Sequence, residues 1–297
     1  MAVYEYVTTF QSQLIALYGQ EATCMDLYNS NAGIQVKGAK TIRIPKITTS
    51  GYKDHNRQGV GFNSGTLSNA WETKELDHDR DVEFRIDPMD VDETNRVLSI
   101  ANIQNNFERT QAIPELDCYT YSKTYAEAER VGAHIDTEAL TKENILAKLD
   151  EDMEALQNAG VPLSRCILYA TPAVQKMLKN AEGIQRHLEA TGGANIDRRV
   201  RSIDDIQKIV SVPVDRFKTV YDFTNGCVAD VNAKQINYIL IDPEAQVSRV
   251  KHAYINVFAP GHDSRTSDSY LYQNRRYNGT FGIDALLKDG CRINVSQ

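Results

Sequence analysis

Residues 71–94 read WETKELDHDRDVEFRIDPMDVDET, and their hydrophobic pattern decides the fold. Apolar side chains fall on even positions, at Leu76, Val82, Phe84 and Ile86. The odd positions from 75 to 85 are all charged: Glu75, Asp77, Asp79, Asp81, Glu83 and Arg85. This period of two predicts one long strand from Trp71 to Ile86, with one buried face and one face in water or against a partner.

A second alternating stretch, Thr41–Ile47, precedes this strand, and a polar, Gly-rich segment from Thr48 to Asn69 separates the two. The arrangement predicts a two-stranded ribbon with a long tip. An isolated hairpin is only marginally stable in water. We therefore expect the ribbon to lie on another surface, which could belong to a second copy of the chain.

Length and composition describe an ordinary globular protein. The chain has 297 residues, of which 41% are hydrophobic and 25% charged, enough for one large or two moderate domains. No apolar run approaches the length of a membrane span, and residues 1–10, MAVYEYVTTF, lack the pattern of a signal peptide. The sequence therefore predicts a protein that stays in the cytosol where it is made, with no membrane partner.

Charge and cysteine content narrow the function further. The net charge of -7 disfavours a dedicated nucleic-acid binder, because phosphate affinity comes mainly from clustered Lys and Arg. The five cysteines are scattered without a C-x-x-C pair, which is typical of small reduced thiols.

Two consecutive helices are predicted after the ribbon. Asp90 or Asp92 is expected to cap the first, whose apolar face ends before Pro114. Pro114 suits the first turn of the second helix, and Gly132 is a natural stop. The N-terminal segment, Tyr4–Tyr28, is partly helical in pattern and fits either a surface helix or an arm on a neighbour.

The second half of the chain mixes helices and strands. We expect a helix capped by Thr141, a strand from Val161 to Tyr169, a helix after Thr171, and a buried strand over Ile236–Ile241. Tyr254–Phe258 should form another strand, and strands and turns should alternate to the end. The basic group Arg198, Arg199 and Arg201 fits a contact to DNA or an acidic neighbour, or a solvated loop with local ion pairs.

The sequence offers no convincing catalytic, cofactor or metal site. Gly59–Gly65 lacks the Lys-Ser/Thr pair of a phosphate loop, and the calcium-loop pattern at Asp90 fails at its sixth and twelfth positions. His262-Asp263-Ser264 are sequence neighbours and cannot form a catalytic relay, and the six histidines show no zinc spacing. We predict that the chain is not an enzyme and binds no cofactor.

The ribbon, the turn IDPMDVDET (86–94) and the helix start IPELDCYTYSK (113–123) together resemble the major capsid proteins of tailed bacteriophages. The resemblance implies an α+β, Hong Kong 97-like shell fold. Its expected parts are an N-terminal arm (1–35), an extended β-hairpin loop (36–86), a peripheral domain (87–138) with a spine helix at about 114–131, an axial domain (139–260) and a return to the peripheral domain (261–297).

That resemblance implies a structural function. Copies would self-assemble as hexamers and pentamers into an icosahedral head shell in the host cytoplasm, and the virion shell would enclose double-stranded DNA held non-specifically. A portal and a decoration protein are further implied partners, and a chain that starts at Met1 implies a separate scaffolding protein. An encapsulin-like compartment of the same fold is the alternative.

The residues expected to contact neighbouring subunits lie mainly on the ribbon and its acidic strand. They are Trp71, Glu75, Asp77, Asp79, Asp81, Arg43, Lys53, Arg198 and Arg199. Some members of the family join a loop Lys to an Asn of a neighbour. Lys46 and Lys53 supply the donor type, but the sequence assigns no acceptor Asn or Glu.

Overall fold

A computed structural model describes residues 22–29, 41–55, 62–93, 100–181, 203, 205–261 and 267–296. The basic group Arg198, Arg199 and Arg201 lies outside these ranges, as do His262-Asp263-Ser264 and most of the N-terminal segment. Within the described ranges, no helix combines the length and the apolar character needed to cross a bilayer.

The ribbon consists of strands β1 (Thr41–Thr49) and β2 (Leu67–Glu75), which pair antiparallel along their full length. The prediction of one unbroken strand from Trp71 to Ile86 is wrong. The chain leaves the ribbon at Leu76 and Asp77 and starts a new strand, β3 (His78–Ile86), in another sheet. The break is invisible in the pattern because the alternation continues across it, with odd positions exposed and even positions wholly or partly buried.

The sheet that contains β3 is built on two long antiparallel strands, β10 (Gln246–Phe258) and β11 (Tyr270–Gly282), in the order β10-β11-β3. Strand β10 is much longer than the predicted Tyr254–Phe258. The pattern concealed its length because buried polar residues interrupt the apolar alternation of this sheet. These residues are Gln246, Ser248, Asn274, Asn278 and Thr280.

Two short helices lie before and after the stretch that contains the ribbon and β3. Helix α1 (Met25–Asn29) precedes the ribbon, and helix α2 (Pro88–Glu93) follows β3. The predicted cap of α2 at Asp90 or Asp92 is wrong: both lie inside the helix, and Asp87 Oδ1 accepts the Met89 N–H at 2.9 Å.

The predicted stop before Pro114 is also wrong. Helix α3 (Ile100–Phe107) passes through a π turn (Glu108–Ala112) directly into helix α4 (Ile113–Val131). The Ile113 N–H bonds to the Glu108 carbonyl, which widens this turn. Pro114 is then the second residue of α4, directly after the π turn. The predicted end is confirmed: Gly132 adopts φ 72°, a conformation that favours glycine.

A five-stranded sheet forms the other half of the molecule, in the order β4 (His134–Asp136), β12 (Cys291–Val295), β9 (Ile236–Ile241), β5 (Ile167–Ala170) and β6 (Lys208–Ser211). Helix α4 packs on one face of this sheet, in a core that includes Ile239, Ile241 and Ile293. Helices α5 (Ile145–Asn158) and α6 (Pro172–Asn180) pack on the other. Burial on both faces explains the continuous apolar run of β9, which was predicted correctly.

The remaining elements are short. Strands β7 (Tyr221–Asp222) and β8 (Val228–Ala229) form a small hairpin, and helix α7 (Asp284–Gly290) precedes β12. Helix α7 was predicted as turns, because Gly282 and Gly290 bracket it. Thr141 caps a turn before α5 and not the helix itself: its hydroxyl accepts the N–H groups of Glu143 and Asn144 at 3.3 Å.

Candidate assembly interface

The ribbon carries an apolar face that its own chain leaves open. In the β1–β2 register, Ile47 lies opposite Asn69 and Thr49 opposite Leu67. Trp71 follows Asn69 by two residues in β2, so these odd-numbered residues share one face. Ile47 is 65% exposed, Leu67 75% and Trp71 59%. The tryptophan predicted to contact a neighbour therefore lies in an exposed apolar patch on a projecting hairpin, which we call the ribbon face: Ile47, Leu67 and Trp71.

The described part of the ribbon tip closes on itself through hydrogen bonds. The Ser50 N–H donates to the Thr66 carbonyl at 3.0 Å, and the Thr66 N–H donates to the Ser50 hydroxyl at the same distance. Lys53 Nζ donates to the Ser64 carbonyl at 3.1 Å. Lys53 therefore lies at the exposed tip with its ammonium group held against the opposite side of the loop. Tyr52 beside it is fully exposed.

A partly buried ion cluster fixes the base of the ribbon to the body. Lys74, on the face of β2 opposite the ribbon face, is only 8% exposed. Its ammonium nitrogen lies 2.7 Å from Glu72, 3.2 Å from Glu127 of α4 and 2.9 Å from Asp284 of α7. Arg130 also pairs with Glu127 and Asp284. We call these five residues the base cluster.

The electrostatics of the base cluster favour its charged form. Burial alone would raise the pKa of Asp284, but hydrogen bonds from Arg130 and Lys74 outweigh burial and hold this pKa well below its usual range. Glu127 behaves in the same way: burial opposes ionisation, and the two cations lower its pKa. For Lys74, the carboxylates outweigh burial and raise the pKa. The cluster thus ties β2 to α4 and α7 by charge-assisted bonds.

The acidic edge of β3 is partly neutralised within the chain. Asp77 accepts hydrogen bonds from the Tyr119 hydroxyl and Lys123 Nζ, both at 2.6 Å. Asp79 accepts two from the Arg275 guanidinium, at 3.0 and 2.6 Å. Both carboxylates were predicted from the sequence to contact a neighbouring subunit. They remain part-exposed, but each already has a cation of its own chain.

The other proposed contact residues are more dispersed. Glu75 and Asp81 are exposed at the two sides of the β2–β3 junction. Arg43 lies in β1 opposite Thr73 of β2. The structure therefore brings Trp71 and Arg43 onto the ribbon, places Lys53 at its tip, and leaves Arg198 and Arg199 outside the described residues.

A buried carboxylate that sequence reasoning missed docks the N-terminal segment. Asp117 of α4, fully buried, accepts the N–H groups of Thr23 at 3.0 Å and Cys24 at 3.1 Å, just before α1. Arg216 Nη1 lies 3.1 Å from the same carboxylate. Only the residue type of Asp117 points to this role in the sequence. Its residue type fits an N-cap acceptor, but the donors lie 94 and 93 positions away.

A second buried carboxylate sits in the π turn. Glu108 is fully buried, and Arg276 of β11 donates to both of its oxygens, at 3.0 and 3.1 Å. Asn274 of the same strand donates at 2.8 Å. These bonds fasten the π turn to β11, which pairs with β3. On the other side of the β2–β3 junction, Lys74 joins β2 to α4.

A polar cavity of about 450 Å³ lies between β3, the start of α4 and the turn at Thr224–Gly226. His78, Arg80 and Glu115 contribute to its lining. All three side chains meet: Arg80 Nε lies 2.7 Å from the Glu115 carboxylate, and His78 Nε2 lies 3.4 Å from the same carboxylate. In the described residues no group of three or more His, Cys, Asp or Glu side chains is placed to hold a metal ion.

Comparison with known proteins identifies the fold. No family model matches the sequence, and a search of curated proteins finds no match. Solved structures do match. A chain from Mycobacterium phage Che8 aligns with a TM-score of 0.63 over 93% of this chain and 91% of that one, at 13% identity.

Two further structures have titles that name capsids. The mature capsid of bacteriophage PhiM1 gives a TM-score of 0.64 at 14% identity, covering 87% of this chain and 82% of that one. The capsid of cyanophage P-SCSP1u gives 0.63 at 11% identity, covering 92% and 87%. The expected α+β class is thereby confirmed, and the chain has the fold found in solved phage capsids.

Proposed function

We propose that the chain is a major capsid protein, which self-assembles as hexamers and pentamers into the icosahedral head of a tailed phage around its double-stranded DNA. The observation that carries this proposal is the extent of the fold likeness. It covers 93% of this chain and 91% of the Mycobacterium phage Che8 chain, so the likeness extends over nearly the whole chain and not over one part of it. A role in a shell is structural and requires no catalytic, cofactor or metal residue.

The ribbon face supports this assignment. A contiguous apolar patch on a projecting hairpin is unfavourable in water and marks an interaction site. In the proposed shell, its occupant is a second copy of the chain, and the ribbon lies across it. Many such contacts, each modest, combine into a stable closed assembly.

Charged residues provide the proposed register between neighbours. Glu75 and Asp81 are exposed and acidic, and the basic residues proposed to meet such groups are Arg43, Lys53, Arg198 and Arg199. Asp77 and Asp79 are already paired with Lys123 and Arg275. Each pair would present both a positive and a negative group to the neighbouring copy. Complementary charge of this kind selects the partner and the register more than it adds affinity.

The proposed division of the chain follows the fold family. The arm spans 1–35, the extended loop 36–86, the peripheral domain 87–138, the axial domain 139–260, and the return to the peripheral domain 261–297. The proposed partners are other copies of the chain, a scaffolding protein, a portal, a decoration protein and non-specifically held DNA. Assembly would take place in the host bacterial cytoplasm, and the final location would be the virion.

An encapsulin-like compartment of the same fold is the alternative function. Purified particles discriminate the two by their contents: a phage head packages DNA, whereas a compartment encloses cargo proteins. Nuclease-protected DNA in particles from infected or induced cells supports the head, and a protected, stoichiometric cargo protein in its place supports the compartment.

Electron microscopy with light scattering tests the assembly itself, on the chain expressed alone and together with the other head proteins. Shells or free capsomer rings are expected. The double substitution Leu67→Asp and Trp71→Asp on the ribbon face should abolish them. Ser68→Asp is the matched control, because Ser68 is exposed on the opposite face of the same strand.

Circular dichroism and thermal unfolding must show that all variants fold, since the substituted side chains are exposed. A wild-type chain that stays monomeric under every condition would overturn the proposal. If the ribbon-face substitutions leave assembly unaffected, the ribbon face does not contribute to the contacts between copies, and that part of the proposal is wrong.

A further inference from the structure

Two Asn-Gly pairs occur in the sequence, Asn225-Gly226 and Asn278-Gly279, and the structure gives them opposite surroundings. A glycine after asparagine has no side chain to shield its backbone nitrogen, so an amide is lost more readily from this pair than from other asparagine pairs. The reaction requires the side-chain carbonyl carbon to reach that nitrogen. The local structure therefore decides which of the two pairs reacts.

Asn225-Gly226 lies at the corner of the β7–β8 hairpin. The two strands pair at Asp222 and Val228, so residues 223–227 form the connecting loop. Asn225 is exposed. Gly226 adopts φ 83°, and a Cβ added to it would meet no atom within 4 Å. The space around the Gly226 backbone is therefore open.

The Asn225-Gly226 pair is unrestrained, although the loop around it is anchored. The N–H and the hydroxyl of Thr224 both donate to Asp222 Oδ1, at 2.8 and 2.6 Å. The Phe223 ring lies edge-on to His78, with centroids 5.1 Å apart. Within the part of the chain that the structure describes, no hydrogen bond holds the Asn225 amide or the Gly226 N–H. The amide can therefore turn onto the Gly226 nitrogen while the base of the hairpin stays in place.

Asn278-Gly279 lies in β11, the central strand of its sheet. Asn278 pairs with Val250 of β10 on one side and with His78 of β3 on the other, and it is only 5% exposed. The backbone at Gly279 is packed against Leu76. A strand that is paired on both sides keeps its extended backbone, so the Asn278 amide reaches the next nitrogen only after the sheet opens.

We infer that Asn225 is a site of spontaneous deamidation in the folded chain, and that the fold protects Asn278. The Gly226 nitrogen gives its proton to a base, attacks Cγ of Asn225 and displaces ammonia, which closes a cyclic succinimide. Water then opens the ring at either carbonyl and leaves aspartate or isoaspartate. One water is consumed and one ammonia is released for each amide, and no oxidant or reductant takes part.

The product changes the charge of a defined surface. Thr224, Asn225 and Gly226 line the polar cavity of about 450 Å³, together with Arg80 and Glu115. Deamidation adds a carboxylate to this lining, and the isoaspartate form also lengthens the loop backbone. The reaction takes place inside one chain and is independent of the proposed assembly.

The test incubates the purified, folded chain in a mildly alkaline buffer and digests it with trypsin, beside an unincubated sample treated in the same way. Residues 219–234 and 277–288 are separate tryptic peptides, so mass spectrometry follows the two pairs independently. The mass gain of an amide converted to an acid should appear at least about tenfold faster in the first peptide, because the strand around Asn278 has to open first. In concentrated urea, where neither pair is folded, the two rates should converge.

Two variants provide the controls. Asn225→Gln should abolish the mass gain in peptide 219–234 while its circular dichroism spectrum stays native, because glutamine would have to close a larger ring. Asn225→Asp supplies the chromatographic standard for the aspartate product, from which isoaspartate elutes separately.

Three results would overturn the inference. The first is an unchanged Asn225 in the folded chain. The second is equal rates at the two pairs in the folded chain. The third is a mass gain that persists in Asn225→Gln, which would assign the reaction to Asn232 of the same peptide.

Discussion

The ammonium group of Lys74, near the end of the ribbon, lies 2.9 Å from the carboxylate of Asp284, which is 210 residues further along the chain. The contact joins the base of the ribbon to helix α7, and Glu127 extends it to α4. The base of the ribbon is therefore held to two helices by a partly buried group of charges.

Replacement of Lys74 by Met should destabilise the chain by about 3 kcal/mol, because Glu72, Glu127 and Asp284 would keep their burial with one cation fewer. Urea unfolding measures the loss. Lys46→Met is the matched control, since Lys46 is exposed on the ribbon, and its effect should stay within about 0.5 kcal/mol. Equal effects of the two substitutions would contradict a stabilising base cluster.

Acid should weaken the fold through the same carboxylates. The pKa values of Glu127 and Asp284 are lowered in the folded chain from their ordinary values of 4.5 and 3.8. Their stabilisation is therefore complete above about pH 5 and is lost as the pH falls below these ordinary values toward the folded ones. The melting temperature should drop over this window, and less steeply in Lys74→Met. Parallel curves for the two proteins would rule out the base cluster as the source.

Substitution of Gly279 by Ala should cost about 2 kcal/mol or more, because a Cβ at this position would lie 1.8 Å from Leu76 Cδ2. Leu76 is fully buried at the β2–β3 junction. Gly51→Ala, at a position with no atom within 4 Å of the added carbon, should be nearly neutral. Thermal unfolding compares the two, and a neutral Gly279→Ala would show that Leu76 can repack.

Substitution of Asp117 by Ala should release the N-terminal segment and cost about 3 kcal/mol, since Arg216 and two N–H groups lose their acceptor. Hydrogen exchange should quicken at Thr23 and Cys24. Asp117→Asn should have a smaller effect, because its amide oxygen can still accept from the backbone.

Glu129→Gln, an exposed change on the same helix, serves as the control for Asp117. It should leave both stability and exchange unchanged. Unaltered exchange at Thr23 and Cys24 in Asp117→Ala would show that other contacts hold the segment, such as the 2.9 Å bond between the Thr23 and Tyr121 hydroxyls.

Local patterns predicted the elements whose signals are local. The alternation from Leu76 to Ile86 identified the buried face of β3, and the apolar run of Ile236–Ile241 identified a strand buried on both sides. Gly132 marked the end of the long helix because its positive φ is a property of that one position. These features depend on residues within a few positions of each other.

The errors arose where distant residues decide the structure. Pro114 indicates a helix start, yet the π turn continues the helix through it, and the bonds from Arg276 and Asn274 to Glu108 support that turn. The even position of Lys74 would normally be apolar in a buried face. Two of its acidic partners, Glu127 and Asp284, lie in other elements far along the chain, and their proximity cannot be read from sequence spacing.

The base cluster also has a mechanical consequence. The nine-residue strands of the ribbon form an arm about 30 Å long, which Lys74 clamps at the end next to the body. A sideways load on the tip would act as a bending moment at that clamp. It would pass into α4 and α7 through Glu127 and Asp284, and into α4 also through the bonds of Asp77 to Tyr119 and Lys123.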